Sequence, residues 1–314
     1  AAGQLAHRLR FDAMTVQRPS SRRHARGFTL VEMIASILIM GVVAGSLVVF
    51  MRPAIETTGN VRARAELTDE ADNAVRAMIR DVQRAVPNSI RTPSSDTSCF
   101  ELIPATGGGR YRMAADTVND TPVGCTTPSS TCSAPLDTTR VTSTFDTLTT
   151  LSSTPAVGDW VVVNNQNGND VYDGLNRAAI TGFNAAPLAT QGVHRIDISP
   201  TQFSVGYAGG RFQVVPNSQQ AVFYVCSGVG SSGGNGTGKL YRLKAYGFNS
   251  SYTTACPSGA SSELMASRLS SCKFLYDPNQ GATQQSGYIS IEIDIMRNNE
   301  TVHLSAGAHV SNVP

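Results

Sequence analysis

The apolar positions of this chain change texture twice along its length. From Phe28 to Met51 they run almost unbroken, FTLVEMIASILIMGVVAGSLVVFM, with Glu32 as the one charged side chain. As a helix rising 1.5 Å per residue this run is about 36 Å long, enough for a hydrocarbon core of roughly 30 Å. Further on they thin to steps of three and four: Leu67, Ala71, Ala74, Val75, Met78, Ile79, Val82, Ala85 and Val86. That spacing belongs to a helix with one face to bury. Asp72, Arg76, Arg80 and Arg84 recur at steps of four on another face, which reads as solvated helix surface. No turn cluster intervenes before Pro87, so the pattern predicts one stem from Phe28 to Val86, with Pro53 and Gly59 as points where it can kink.

After Pro87 the period drops to two. Short β-prone runs alternate with Ser, Thr, Gly, Asn and Pro: Cys99 to Ile103, Trp160 to Val163, Arg195 to Ile198, Arg211 to Val215, Ala221 to Cys226, Leu240 to Tyr246, Lys273 to Tyr276, Tyr288 to Met296 and Thr301 to Leu304. Ile289, Ile291, Ile293 and Ile295 alternate strictly with polar residues, and Arg297-Asn298-Asn299-Glu300 supplies a turn before the next run, which predicts an antiparallel hairpin. A helical pattern recurs only briefly, from Ser261 to Leu269. A stem with one apolar stripe needs a partner, and an antiparallel sheet with one apolar face provides it. The expected fold class is α+β, with segments 1–27 (basic leader), 28–52 (membrane and assembly helix), 53–86 (amphipathic half of the stem) and 87–314 (β-rich head).

Composition sharpens this division. Charged residues make up 15% of the chain, against about a quarter in ordinary domains, and the apolar residues concentrate near the start. A polytopic membrane protein, a collagen, a coiled-coil rod and an acidic disordered chain are all excluded. The formal charge of +2 is also uneven. Residues 1–27 hold six arginines and one acid, Asp12; removing them from totals of 25 basic and 23 acidic side chains leaves 19 and 22. The remainder is slightly acidic, so nucleic acid is not an expected partner. A basic cluster just ahead of an apolar run holds its own side in the cytoplasm while the following chain crosses.

Glu32 is the anomaly. A carboxylate in hydrocarbon costs on the order of 3 kcal/mol on insertion scales, so such residues have a partner or snorkel to the headgroups. Cleavage after Gly27 would create an α-amine at Phe28, and a neighbouring subunit shifted along its axis would bring that amine to Glu32. Such pairing sets an axial register and works only in an assembly. The stretch Arg26-Gly27-Phe28-Thr29-Leu30-Val31-Glu32, with the apolar run behind it, resembles the class III signal of type IV prepilins and of the pseudopilins of type II secretion. The resemblance implies cleavage between Gly27 and Phe28 by a prepilin peptidase, N-methylation of Phe28, and pairing of Glu32 with a neighbour's N-terminus. A leader ending at Gly27 is long for that family, and a start at Met14 would shorten it; residues 1–13 would then be a gene-start artefact.

Head runs extend the resemblance. CFELIPATGGGRYR (Cys99 to Arg112), GDWVVV (Gly158 to Val163), RFQVV and VFYVC (within Arg211 to Cys226), SSCKFLYDP (Ser271 to Pro278) and RAVPNSIR (Arg84 to Arg91) are similar to minor prepilins of the mannose-sensitive haemagglutinin (MSHA) pilus system. This implies a type IV pilin-like fold and a low-abundance subunit that initiates or caps a pilus. It implies a single pass of the bacterial inner membrane with the head periplasmic, then a place at the pilus tip. The implied partners are other minor pilins, the major pilin, the prepilin peptidase and the inner-membrane assembly platform. A minor pseudopilin of type II secretion (J-like) shares every anchor feature. A tip adhesin or ligand-binding subunit is the alternative from another class.

The remaining chemistry is sparse. Cys99, Cys125, Cys132, Cys226, Cys256 and Cys272 all lie beyond the anchor, an even count that suggests up to three disulfides in an oxidising periplasm. Cys125 with Cys132, across a short polar loop, is the leading pair and Cys226 with Cys272 a second; fifteen connectivities remain open by spacing. Asn164, Asn165, Asn167, Asn169, Asp170 and Asp173 cluster oxygen donors, a weak calcium candidate lacking the spaced acids of an EF-hand. Gly228 to Gly233 satisfies GxGxxG and Gly230 to Gly234 GxSxG, but a strand-like run rather than a helix follows, so both read as a loop. His194, His303 and His309 stand apart on or beside strand-like runs. No nucleophile, base and orienter assemble from this sequence, and neither enzymatic activity nor a cofactor is expected.

Overall fold

The structure is a computed structural model that describes residues 27–206, 209–251, 254–257, 262–280 and 286–314, with the backbone alone at 52–60, 63, 262 and 280. The chain divides into two units between Thr57 and Thr58. Helix α1 (Leu30–Gln83) contributes to both. In the first unit its apolar side chains stand exposed, and Leu30–Met51 is the segment among the described residues long and apolar enough to cross a membrane. Pro53 and Gly59 lie where only the backbone, which is helical, is described.

In the second unit α1 buries a single stripe: Leu67, Ala71, Ala74, Val75, Met78 and Val82 are all at most 3% exposed. The strands follow in the order β1 (Cys99–Leu102), β2 (Gly107–Arg110), β3 (Thr142–Thr147), β4 (Trp160–Val163), β5 (Arg177–Ala185), β6 (His194–Thr201), β7 (Arg211–Val215), β8 (Val222–Ser227), β9 (Ser231–Ser232), β10 (Asn235–Gly236), β11 (Gly238–Leu243), β12 (Ser262–Gln280), β13 (Ser286–Arg297) and β14 (Glu300–Ser311), with a one-turn helix α2 (Asp170–Asp173) between β4 and β5. They form two antiparallel six-stranded sheets, β1-β8-β11-β12-β13-β14 and β2-β7-β4-β5-β6-β3, and the two-stranded pair β9-β10. The architecture is pilin-like α+β: the amphipathic stripe packs on one face of the first sheet.

That face is built by alternation. In β13 Ile289, Ile291, Ile293 and Ile295 are fully buried while their neighbours are half-exposed, and β8 points Val222 and Tyr224 to the helix side with Phe223 and Val225 behind. The expected turn joins β13 to β14 through Asn298 and Asn299 at φ of 53° and 64°, the left-handed pair that a two-residue hairpin of the right twist requires. A ring cluster fills the centre, Phe100 stacking on Tyr224 at 5.1 Å and meeting Phe274 edge-on at 4.9 Å. The second sheet has its own core around Phe145, Val161, Ile180, Ile196 and Phe212.

Two expectations are corrected. The helical pattern at Ser261 to Leu269 is not a helix: from Ser262 onward the chain is strand β12. Ala266 and Leu269 are both buried at a helix-like spacing because β12 bulges between them, with Arg268 at φ 60°. One inserted residue turns a period of two into a step of three. The bulge is held from the helix, since the Ser267 N–H and hydroxyl both donate to Glu70 Oε1, at 2.6 and 2.8 Å. The stem also stops as a helix at Gln83, short of Val86. The Val86 amide turns instead to the Ile103 carbonyl at 2.8 Å, which takes the exiting chain into register with the segment after β1.

Met78 is fully buried in the stripe whereas the Arg76 side chain is exposed. Met78→Ala is therefore expected to lower the unfolding free energy of the purified chain by about 2–5 kcal/mol, and Arg76→Ala to change it by no more than about 0.5 kcal/mol, in chemical denaturation followed by circular dichroism.

Candidate functional site

Gly27, Phe28 and Thr29 precede α1 in irregular backbone. Among the described residues a side chain at Gly27 would meet no neighbour within 4 Å, and Phe28 is 75% exposed. Thr29 caps the helix: its Oγ1 accepts from the Glu32 N–H at 3.3 Å. Threonine followed three residues later by glutamate is the arrangement of a capping box. Glu32 thus lies exposed in the first turn, at the positive end of the helix dipole. The same turn that starts the helix carries the carboxylate, four residues past Phe28.

The second site sequence reasoning did not find. Where the chain leaves α1, the segment Arg84 to Arg91 threads between the two sheets, and Arg91 makes a two-hydrogen-bond backbone bridge to Glu101 of β1, at 2.9 and 2.8 Å. Their side chains pair as well, Arg91 Nε to Glu101 Oε2 at 2.5 Å, with side chains 5% and 0% exposed. Tyr246 donates to the other carboxylate oxygen at 2.6 Å. The guanidinium lies 3.5 Å over the Tyr172 ring and donates to Asn169 Oδ1 at 3.2 Å and to the Asn249 carbonyl, while the Tyr172 hydroxyl donates to the Ser89 carbonyl at 2.8 Å. Burial pushes the Glu101 carboxyl above its ordinary range against the opposing pull of Arg91. Burial, then the adjacent Glu101, raises the Tyr246 phenol. Such an arrangement holds geometry. The available signal was a lone acid in the apolar run CFELI, with its arginine ten residues upstream in RAVPNSIR.

The asparagine cluster joins this clamp. Asn165, fully buried, donates to the Pro87 carbonyl at 2.6 Å, and its Oδ1 accepts from the Val171 N–H and from Asn176. Asn167 donates to Asp170 Oδ2 at 2.9 Å, and Asn164 to the Ser204 carbonyl. The Asp173 N–H donates to the Asn169 carbonyl at 2.9 Å, closing the single turn of α2. The side-chain oxygens of Asn165, Asn169 and Asp170 in the calcium candidate therefore receive internal donors, and at Asn169 the donor is itself a cation. Among the described residues, no group of three or more His, Cys, Asp or Glu side chains could hold a metal.

The structure joins Cys125 to Cys132, Cys226 to Cys272 and Cys99 to Cys256, with Cα separations of 6.1, 6.4 and 5.7 Å. The first closes a surface loop, the second ties β8 to β12, and the third ties β1 to the segment ahead of β12. His194 packs on Phe183, His309 faces its cross-strand partner Tyr288, and His303 pairs with Asp294 across β13 and β14. The glycine run Gly228 to Gly234 forms the β9-β10 hairpin and leads into β11, so no helix start stands there for a phosphate.

Residues 22–48 match the family model described as the prokaryotic N-terminal methylation motif. No curated protein and no solved structure matches the chain.

Removing one half of a buried ion pair leaves an uncompensated charge. Arg91→Ala is expected to destabilise the head by about 3–5 kcal/mol, and Arg91→Met combined with Glu101→Leu by clearly less than the sum of the single changes; a double-mutant cycle by denaturation checks this.

Proposed function

From a chain that is a type IV pilin/pseudopilin-family subunit, with the family's N-terminal signal ahead of a pilin-like α+β head, we propose a minor pilin of an MSHA-type type IV pilus. Its work would be to start assembly or to form part of the tip complex. Support for the finer assignment comes from the head runs, which resemble those of the biogenesis prepilin MshO, and from a head too elaborate, with two six-stranded sheets, for dense repetition along a filament. The family's signal implies processing by a prepilin peptidase, anchoring in the inner membrane and assembly with pilins.

The observation that carries the mechanism is an exposed Phe28 ahead of the helix with a carboxylate four residues on, in the first turn of an otherwise apolar, exposed helix segment. Cleavage after Gly27 removes the basic leader and leaves a charged amine on Phe28; N-methylation keeps its charge. Within lipid that amine and Glu32 are each costly alone and cheap together, so a neighbour's terminus meeting Glu32 neutralises both. Because one carboxylate has one position along the helix, pairing also fixes the axial offset between subunits. Insertion itself needs neither partner, since the apolar segment suffices by length.

Gly27→Ala in cells with an active prepilin peptidase is expected to leave the leader attached, read as a larger intact mass and an N-terminus upstream of Phe28; mature-size protein would overturn the processing step. Glu32→Ala is expected to insert normally but to lose co-purification with other pilin subunits, whereas unchanged recovery and unchanged piliation would remove the role assigned to that carboxylate.

A further inference from the structure

An open groove of about 650 Å³ lies where the end of α1 meets the edge of the second sheet. Its lining includes Arg84, Arg110 and Arg211 and no acidic residue. All three arginines are exposed, and none of their side chains makes an ion pair or hydrogen bond among the described residues. Two of them stand directly opposite each other: Arg110 of β2 and Arg211 of β7 are register partners in an antiparallel pair. Like charges at that position repel across roughly 5 Å and destabilise the pairing, and sheets ordinarily place an opposite charge there. Here the opposing charge is missing.

The backbone that carries them is rigidly placed. The Arg84 carbonyl accepts from the Ala105 N–H at 2.9 Å. Arg110 is held on both sides, its N–H donating to Thr149 Oγ1 at 3.0 Å and its carbonyl accepting from the Leu148 N–H at 2.7 Å. Between these arginines β2 consists of Gly107, Gly108 and Gly109; a side chain at Gly108 would run into backbone, and one at Gly109 would displace the Thr149 hydroxyl. A Cβ at Gly108 would lie 2.4 Å from the Phe212 carbonyl oxygen, and one at Gly109 would lie 2.5 Å from Thr149 Oγ1. Gly107, Gly108 and Gly109 line the groove with side-chain-free backbone, beside Thr149 and Ser152, whose hydroxyls already accept from the Arg110 N–H and donate to the Thr106 carbonyl, respectively.

We propose that this groove binds an acidic carbohydrate, with the arginines taking its anionic groups and the glycine-lined wall leaving room for the sugar ring. Guanidinium forks pair in bidentate fashion with carboxylate or sulfate. Nucleic acid fits less well. The lining has a single aromatic residue, Phe212, and it is buried at 1% exposure, so no face is open on which a base could stack. An added peptide strand fits less well too, because the outer edge of β2 is already engaged at Arg110 and, through Ser152 and Ser153, at the Thr106 carbonyl. The inference rests on the groove alone and stands whether the subunit belongs to a pilus or a secretion pseudopilus.

The test is titration of the purified full chain in detergent with oligogalacturonate, a sulfated heparin-derived oligosaccharide, neutral maltooligosaccharide and oligo-dT, by calorimetry at low and high salt. Binding of the carboxylated or the sulfated glycan, weakened by salt and absent for the neutral one, is expected; which of the two binds tells the anionic group preferred. Arg110→Ser with Arg211→Ser should weaken that binding by about tenfold or more, the effect of losing charge-assisted hydrogen bonds. The same variant should melt no lower than the parent in the absence of ligand, because it removes a like-charge pair. No glycan binding, equal binding by the double variant, or equally tight binding of oligo-dT would each overturn the proposal.

Discussion

A helix with a dry stripe on one side has to have something to lay it on, and in the head of this protein that requirement organises nearly everything else. Leu67, Ala71, Ala74, Val75, Met78 and Val82 leave water together, and the surface that receives them is the isoleucine face of β13 with Phe100, Tyr224 and Phe274. Apolar burial of this kind is non-directional, so it cannot by itself decide where along the sheet the helix rests. Polar contacts at the margins do that. Asp81 accepts from Tyr224 at 2.7 Å and from Arg242 at 2.8 Å, and Glu70 takes the amide freed by the bulge in β12. Each fixes the helix to a named point on a named strand.

The same division of labour appears where the stem ends. Val86, Ile103, Val162, Val171, Tyr172, Val215 and Ala221 form a small apolar cluster between the sheets. Around it the Arg91–Glu101 pair and the Asn165 knot satisfy the polar groups that an irregular segment brings inside. A buried ion pair contributes little net stability compared with apolar residues of the same shape, but breaking it is costly. The pair ties the segment after α1 to β1 and to the Tyr172 ring.

The membrane-facing and water-facing parts of α1 illustrate opposite solutions to one problem. Leu30–Met51 has no partner among the described residues and keeps its apolar side chains exposed, which suits lipid or other subunits as its surroundings. The later turns have a partner built into the chain. Glu32 lies in the first regime, exposed in the first turn, and Glu101 in the second, where the partner arrives through the fold.

What could be read from residue order was what depends on near neighbours. The apolar run, the acid four residues past Phe28, the three-and-four spacing of the stem and the isoleucine alternation of β13 are local periodicities, and each produces its element almost regardless of surroundings. β2, β3 and β5 escaped notice because Gly107–Gly109, a threonine-rich run and a Gly182-interrupted run carry weak β signals and become strands only when a neighbouring edge takes their hydrogen bonds. The false helix before Leu269 came from a bulge that only pairing creates. Connectivity of Cys99 with Cys256, 157 residues away, the seating of Arg91 on Glu101, and the meeting of Arg110 with Arg211 were likewise decided by tertiary structure. Periodicity is a property of the chain's own turns, whereas a contact between distant residues exists only after the backbone has chosen its register.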